Sequence, residues 1–287
     1  MRFFFDMGES LRMEYMTDPH KMRHWHVHPQ YEMYFCPQGI SQCSLVNGQE
    51  FVYDYPCVIL SAPYSIHSMS PTDEVAFERI VAYFGERTLG AVDKRLLPEE
   101  LLSHKMGVML RLTPSDASVL RRTLSPALET SAVLSEAERE LYLLLFLHKL
   151  MARVPQERRM SIGTSDYYIQ SVLRYIYEHI AEPMDSDCIA SAFAVSRSKL
   201  DRDFRKCTGG TVHEFINACR LNHAKIMLSE PSREKSIARI ASDCGFVSET
   251  YFFAFFKKQT GMSPKEYRCT AHARQTSSEE KPGGCCP

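Results

Sequence analysis

Phe204-Arg205-Lys206-Cys207-Thr208-Gly209-Gly210-Thr211-Val212-His213-Glu214-Phe215 aligns without a gap on Phe256-Lys257-Lys258-Gln259-Thr260-Gly261-Met262-Ser263-Pro264-Lys265-Glu266-Tyr267, at a constant offset of 52 residues. One supersecondary unit therefore occurs twice. The echo extends backwards through Ser196 and Ser248, Leu200 and Phe252, and Ile189-Ala190-Ser191 against Ile240-Ala241-Ser242. Between these pieces lies a short turn, Phe193-Ala194-Val195 in the first copy and Cys244-Gly245-Phe246-Val247 in the second. Gly245 stands where a helix must end in a left-handed residue before the chain swings into the next helix.

Each copy reads as helix, tight turn, N-capping serine and helix, the pattern of a helix-turn-helix whose second helix enters the major groove. In copy one, Leu200, Phe204 and Cys207 share an inner face, leaving Ser198, Asp201, Arg202 and Arg205 outward at helical spacing. In copy two, Phe252, Phe255, Phe256 and Gln259 are expected inward, with Glu249, Thr250, Phe253, Ala254 and Lys257 outward. A helical pair alone is a weak signal. Two copies sharing basic-basic-x-Thr-Gly-x-hydroxyl-x-x-Glu-aromatic are a strong one.

Residues 169 to 268 resemble the double helix-turn-helix DNA-binding domain of the AraC/XylS family of bacterial transcription regulators. The likeness rests on Tyr175-Ile176, Ala190 with Ser196, Leu200 with Arg202-Asp203-Phe204, and Arg220 four residues before Ala224. Its closing signature is Ile240-Ala241, Gly245-Phe246, Tyr251-Phe252, Phe256-Lys257-Lys258, Gly261, Ser263-Pro264 and Tyr267-Arg268. The resemblance implies a central helix from about Val212 to Ser229 that sets two recognition helices in successive major grooves, roughly 34 Å apart.

It also implies the contacts. Ser198, Asp201 and Arg202 would read bases from the first helix, and Glu249, Thr250, Phe253 and Ala254 from the second. Arg202 is the strongest reader, because a guanidinium donates both bonds to guanine O6 and N7. Lys206, Lys257 and Lys258 neutralise phosphate, with Arg197 and Lys199 counted in the same DNA-contacting set. Ser196 and Ser248 cap their helices and can also meet phosphate. Two positions depart from the family pattern: Ala254 replaces its usual arginine and Asp203 fills its apolar position. Asp201 and Glu249 also bring carboxylates toward the duplex.

Upstream, His24 to Phe84 reads as short strands punctuated by Pro37-Gln38-Gly39, Asn47-Gly48, Tyr55-Pro56 and Ala62-Pro63. Asn-Gly between Ser44-Leu45-Val46 and Phe51-Val52-Tyr53 marks a hairpin. After Pro98 the period turns helical, through Val119 or Leu120, Leu124 and Leu128. Ser135-Glu136-Ala137-Glu138 is a capping box that opens a long helix to about Val154. That helix is apolar on more than one face at Leu141 to Leu147, which suits either a dimer partner or a thicker intramolecular core. Pro155 to Ser165 reads as the linker.

His26-Val27-His28-Pro29-Gln30-Tyr31-Glu32, followed by Gly39, has the spacing of the first cupin motif, and Pro63 to His67 approximates the second. With the strands, this resembles the cupin-like sensor at the amino end of AraC-type regulators, a small β jelly roll. In metal-binding cupins two histidines, a glutamate and a later histidine form the ligand set, here His26, His28, Glu32 and His67. Three fates are open to these residues: metal ligation, lining of an effector pocket together with Tyr34, or plain structural packing. The pocket reading is taken, with no metal and no cofactor. Ser65 and a shortened spacing before His67 set the second motif apart. His24 is scaffold, and Trp25, Tyr31 and Tyr34 either stack on a sugar ring or fill the core.

The expected architecture is α+β in two domains. Residues 1–160 form a cupin-like β jelly roll with trailing helices, for effector binding and dimerisation; 166–270 form an all-α tandem helix-turn-helix; 271–287 form a flexible tail. The expected function is sequence-specific regulation of transcription in response to a small polar effector such as a sugar, without enzymatic activity. The expected partners are double-stranded promoter DNA, the effector, a second copy in a homodimer, and RNA polymerase. The alternative is a metal-dependent cupin enzyme, an oxygenase or isomerase with an accessory helical domain.

Composition agrees with this. The 287 residues are 44% hydrophobic and 24% charged, values of a globular chain. The net charge is -1, but residues 166–274 carry 16 Lys and Arg against 13 Asp and Glu, so the excess of base lies in the carboxyl half. Leu141 to Leu147 is far shorter than the ~20 apolar residues of a membrane span. Phe3 to Phe5 is too short for a signal-peptide core. A cytoplasmic protein with reduced thiols and no membrane partner is expected; the ten cysteines include no CxxC pair, and Cys285 and Cys286 are given no role.

Overall fold

The computed structural model describes residues 11–17, 26–39, 42–46, 49–71, 77–85, 88, 107–129, 134–162, 167–230 and 235–279. His24, Trp25, Asn47, Gly48 and the Cys285-Cys286 pair lie outside them. The fold is α+β, with antiparallel sheets in the amino-terminal part and helices in the carboxyl-terminal part. Packing divides the chain into two units, Met1–Arg174 with Asp203–Gly209, and Tyr175–Arg202 with Gly210–Pro287.

Among the described residues, the first unit holds nine strands: β1 (Arg12–Met16), β2 (Tyr31–Cys36), β3 (Gln42–Val46), β4 (Gln49–Tyr53), β5 (Cys57–Ser61), β6 (His67–Pro71), β7 (Arg79–Phe84), β8 (Gly107–Arg111) and β9 (Arg159–Ile162). They form a six-stranded sheet in the order β1-β7-β2-β5-β8-β9 and a three-stranded sheet in the order β4-β3-β6. Val46 pairs with Gln49, so the expected hairpin closes across a two-residue connection. β2 and β5 are central and buried at every residue, which is why they read as nearly continuous apolar runs.

The period of two sorts β2 between two cores. Tyr31, Met33 and Phe35 join Val58, Leu60, Ile80 and Ala82 against helices α1 (Pro114–Glu129) and α2 (Glu136–Arg153), which contribute Leu120, Leu124, Leu143, Phe146, Leu147 and Leu150. Tyr34 and Cys36 turn the other way, to Val46, Tyr53 and Met69 of the small sheet. Glu32 shares their parity, so strand register alone carries a carboxylate inward.

α2 begins at the expected capping box: Glu138 N–H donates to Ser135 Oγ, and the Glu138 carboxylate accepts from Ser135 N–H at 2.8 Å. Pro155 to Ser165, expected as a linker, instead contains β9, whose Arg159–Ile162 pairs antiparallel with β8. Alternation is weak in Arg-Met-Ser-Ile because this edge strand has one neighbour, so the stretch resembles loop.

Helix α3 (Tyr167–Glu178) crosses from the first unit into the second. It is followed by α4 (Ser186–Ala192), α5 (Arg197–Thr208), α6 (Val212–Ser229), α7 (Ile237–Asp243), α8 (Glu249–Thr260) and α9 (Pro264–Glu279). The repeat is a repeat of backbone bonding. Ala194 N–H donates to Ser191 O at 3.1 Å and Val195 N–H to Ala190 O at 3.0 Å; Gly245 N–H donates to Ser242 O at 2.9 Å and Phe246 N–H to Ala241 O at 3.0 Å. Both turns end a helix through a left-handed residue, with φ +51° at Ala194 and +82° at Gly245. Copy two carries one more turn residue, the almost fully exposed Val247.

The repeated Thr-Gly and hydroxyl-x-x-Glu have matching roles. Thr208 and Thr260 hydroxyls each donate to the carbonyl four residues back at 2.8 Å. Thr211 with Glu214, and Ser263 with Glu266, cap the starts of α6 and α9. α9 runs on to Glu279, so the segment expected as tail from residue 271 starts as helix. Among the described residues no helix is long and apolar enough to cross a membrane.

Candidate functional site

Both expected recognition helices are capped as their serines imply: Lys199 N–H donates to Ser196 Oγ and Tyr251 N–H to Ser248 Oγ, each at 3.2 Å. On α5, Leu200 and Phe204 are fully buried, while Arg197, Ser198, Lys199, Arg202, Arg205 and Lys206 are exposed. Asp201 is half-buried and has local partners. It accepts from Ser186 Oγ at 3.3 Å and lies 3.6 Å from Arg197, whose guanidinium also meets Asp187 at 2.8 Å. Its negative charge is thus partly answered within the protein.

On α8, Phe252 and Phe256 are buried, and Glu249, Thr250, Ala254, Lys257 and Lys258 are exposed. Phe253 is half-buried at the edge of the core formed by Leu221, Ile240, Phe246 and Phe252. Gln259, expected inward, is exposed: the apolar stripe of α8 ends at Phe256, and the polar side chain one turn on faces water. One residue, Asn217, and its tie to Tyr251 went unnoticed in the sequence. Tyr251 is about half exposed, and its hydroxyl accepts from the buried Asn217 of α6 at 3.2 Å. No local pattern signals this bond, since its ends are 34 residues apart.

The second constellation lies inside the β unit. His26 and His28 flank Val27 on one extended segment, Glu32 enters from β2, and His67 opens β6. His26 and His67 exchange backbone hydrogen bonds of 2.9 and 3.0 Å, which bring the two segments together. All four side chains are buried, and one ligand atom from each lies within 4.8 Å of the others. The Nε2 atoms of His26, His28 and His67 stand 3.6, 3.0 and 3.1 Å from Glu32 Oε2.

The outer ring nitrogens set the tautomers. His28 Nδ1 lies 2.9 Å from Gln30 O, and His67 Nδ1 lies 2.9 Å from Ser65 O. A carbonyl only accepts, so both Nδ1 atoms carry the proton, and a neutral ring then aims the Nε2 lone pair at Glu32. Lone pair against carboxylate is repulsive unless a cation lies among them. Protonating every ring would bury a net positive charge at high desolvation cost. A divalent ion among neutral imidazoles and one carboxylate avoids both penalties, and carbonyl-anchored histidines are the usual outer shell of such a site.

If protons on Nε2 took the place of an ion, burial would still act to raise the Glu32 pKa, but the charge of His67 and hydrogen bonds from His26, His28 and His67 would outweigh it and hold the carboxyl well below its ordinary range. Glu32 Oε1 has no hydrogen-bond partner among the described residues. The donor set therefore fits a first-row transition metal such as Fe, Mn, Ni or Zn. Tyr34, expected beside these residues, lies on the same side of β2 as Glu32. It sits one inward position further along β2, with its hydroxyl donated to Gln42 Oε1 at 2.5 Å.

A family profile described as a helix-turn-helix domain matches residues 189–269. The HTH-type transcriptional regulator YijO of Escherichia coli (strain K12) is 32% identical over 118 residues, 41% of this chain and 41% of that protein. The xylose operon regulatory protein of the same strain is 33% identical over 121 residues, 40% of this chain and 30% of that protein. The matches thus span less than half the length of these two relatives. The HTH-type transcriptional activator RhaS of Escherichia fergusonii is 25% identical over 248 residues, 85% of this chain and 86% of that protein.

Proposed function

Because the chain belongs to the AraC/XylS family of transcription regulators, we propose that it binds promoter DNA through α5 and α8 and adjusts that binding to a ligand held in its β unit. The carrying observation is the duplicated helix end, in which both copies close on a left-handed residue and reopen on a capping serine. The reading assigns Ser198, Asp201, Arg202, Glu249, Thr250 and Phe253 to base edges. Arg197, Lys199, Lys206, Lys257 and Lys258 go to phosphate, with Ser196 and Ser248 at the helix starts. α6, 18 residues long, sets the two readers in successive grooves of one DNA face.

The β unit is read as a cupin-like effector domain. Its ligand set is His26, His28, Glu32 and His67, and the donor chemistry favours a divalent transition metal over simple pocket lining. When bound, such an ion supplies a Lewis-acidic centre on which an oxygen-rich effector can sit. The name of the xylose operon relative keeps a sugar among the candidate effectors. For the second copy, the outer face of α2 offers Leu141 and Leu145, both exposed, with His148 and Ala152 continuing the three-and-four spacing of a helix-pairing seam. RNA polymerase is the further partner of a regulator bound at a promoter. The enzyme alternative is set aside because the relatives are transcription regulators.

Duplex selected from random sequence by the full-length protein, then mapped by hydroxyl-radical protection, tests the reading. Two protected patches one helical repeat apart on one face are expected. A single patch, or equal affinity for selected and random duplex at physiological salt, overturns it.

A further inference from the structure

The loop between β5 and β6, residues 62–66, ends on His67 and is tied to the cluster at several points. Tyr64 N–H donates to His28 O at 2.8 Å, Ser65 O meets His67 Nδ1 at 2.9 Å, and His67 and His26 exchange backbone bonds. Tyr64 has φ +63°, a left-handed conformation that tyrosine seldom adopts. The crest of the loop is therefore held in shape by its neighbours rather than by its own preference.

Within the same unit, two side chains of α3 grip that crest. Gln170, 5% exposed, donates from Nε2 to Pro63 O at 2.6 Å. Arg174, one turn along, places its guanidinium carbon 5.6 Å from the centroid of the Tyr64 ring. α3 continues past Arg174 into the second unit, and the Ile180 carbonyl just beyond its end accepts from Arg220 of α6 at 3.2 Å. A third α3 residue, Tyr168, has its phenol pKa raised by burial and then by the charge of Asp203 on α5.

We propose that residues 62–66, gripped by Gln170 and Arg174, form the relay that carries occupancy of the histidine cluster to the DNA-binding helices. A ligand that fixes His67 Nε2 fixes its ring, the ring holds Ser65 O through Nδ1, and the loop crest then sets the two α3 side chains. The output follows because α3 is one continuous helix across the boundary between units. This inference rests on the proposed function, with the cluster as input and DNA binding as output.

The test uses full-length protein stripped with chelator, Zn²⁺ as the only added ligand, and duplex obtained by in vitro selection. Zn²⁺ affinity is measured by competition with a chromophoric chelator, and DNA affinity by fluorescence anisotropy with and without Zn²⁺. Wild type is expected to bind Zn²⁺ and to change its DNA Kd by about fivefold or more. Gln170→Ala/Arg174→Leu is expected to keep Zn²⁺ affinity within about twofold and lose the change in DNA Kd. Arg174→Lys, which keeps a cation over the Tyr64 ring, is expected to retain most of it. A fully responsive double variant overturns the relay while leaving the proposed function standing. Wild type that binds no Zn²⁺, or binds it with unchanged DNA Kd, overturns the metal input and the relay with it. Tyr64→Leu provides an independent variant from the loop side, and an undiminished response there also overturns the relay.

Discussion

Arg220 donates from Nε to the carbonyl oxygen of Ile180 at 3.2 Å, and from Nη2 to Glu182 O at 2.9 Å. The guanidinium thus takes up carbonyls just past the end of α3, and burial lowers its pKa from the usual arginine value. Gly245 completes the junction. A Cβ there would stand 2.3 Å from Ile180 O and 2.8 Å from Arg220 Nε, on a residue whose φ is already +82°.

Gly245→Ala should therefore destabilise the helical unit by about 2 kcal/mol or more, through both clash and left-handed backbone. Gly261→Ala is the control, because φ is +79° but nothing lies within 4 Å of its Cβ position. It should cost about 1 kcal/mol. Urea denaturation of the two variants measures the difference; equal losses would mean that the junction contributes nothing.

Removing Arg202 and removing Lys257 should have different signatures. Arg202→Ala is expected to weaken the selected site by ~1–3 kcal/mol and to relax sequence preference at one position. Lys257→Ala is expected to weaken all duplexes alike and to flatten the salt dependence by roughly one phosphate contact. Affinity measured against salt on selected and scrambled duplexes separates the two.

Zn²⁺ at 100 times its Kd should stabilise the β unit by about 2.7 kcal/mol, seen as a rise in Tm. Glu32→Gln keeps the shape of the side chain but removes the only carboxylate of the ligand set, and should abolish most of that rise. An unchanged rise would place the metal elsewhere.

Asp116 accepts from Thr113 N–H at 3.2 Å, Thr113 Oγ1 at 2.7 Å and Arg158 Nη1 at 2.8 Å. Burial by itself would raise its pKa, but the Arg158 and Thr113 hydrogen bonds hold it below the ordinary 3.8. Since the folded value is the lower one, the stabilisation is present above 3.8 and is lost as pH falls through the folded value. Asp116→Asn should lower Tm at neutral pH, and the gap from wild type should close in acid. A gap independent of pH would contradict the ion pair.

Leu141→Glu/Leu145→Glu should leave the fold intact, because both side chains are exposed. If α2 pairs with a second copy, the variant should be monomeric by light scattering where wild type is dimeric. An unchanged mass excludes this seam.

What could be read without coordinates were features settled within a few residues of chain. The serine caps, the Ser135-Glu138 box, the Asn-Gly hairpin and the left-handed Gly245 each depend on local backbone bonding, and the 52-residue echo multiplied their weight. Local pattern also misled. Arg159–Ile162 passed for linker because an edge strand needs little alternation, and Ala194 gave no sign of the left-handed turn it shares with Gly245.

Tertiary structure alone decided the rest. His67 reaches Glu32 across 35 residues because sheet pairing lays β6 beside the His26 segment, and two backbone carbonyls then choose which ring nitrogens face inward. Tyr34 has the same strand parity as Glu32, yet lies one inward step away and gives its hydroxyl to Gln42. Residue type and spacing nominate candidates because they fix which side of a strand or helix a group occupies. Convergence of lone pairs depends on register between distant segments, which no local signal encodes.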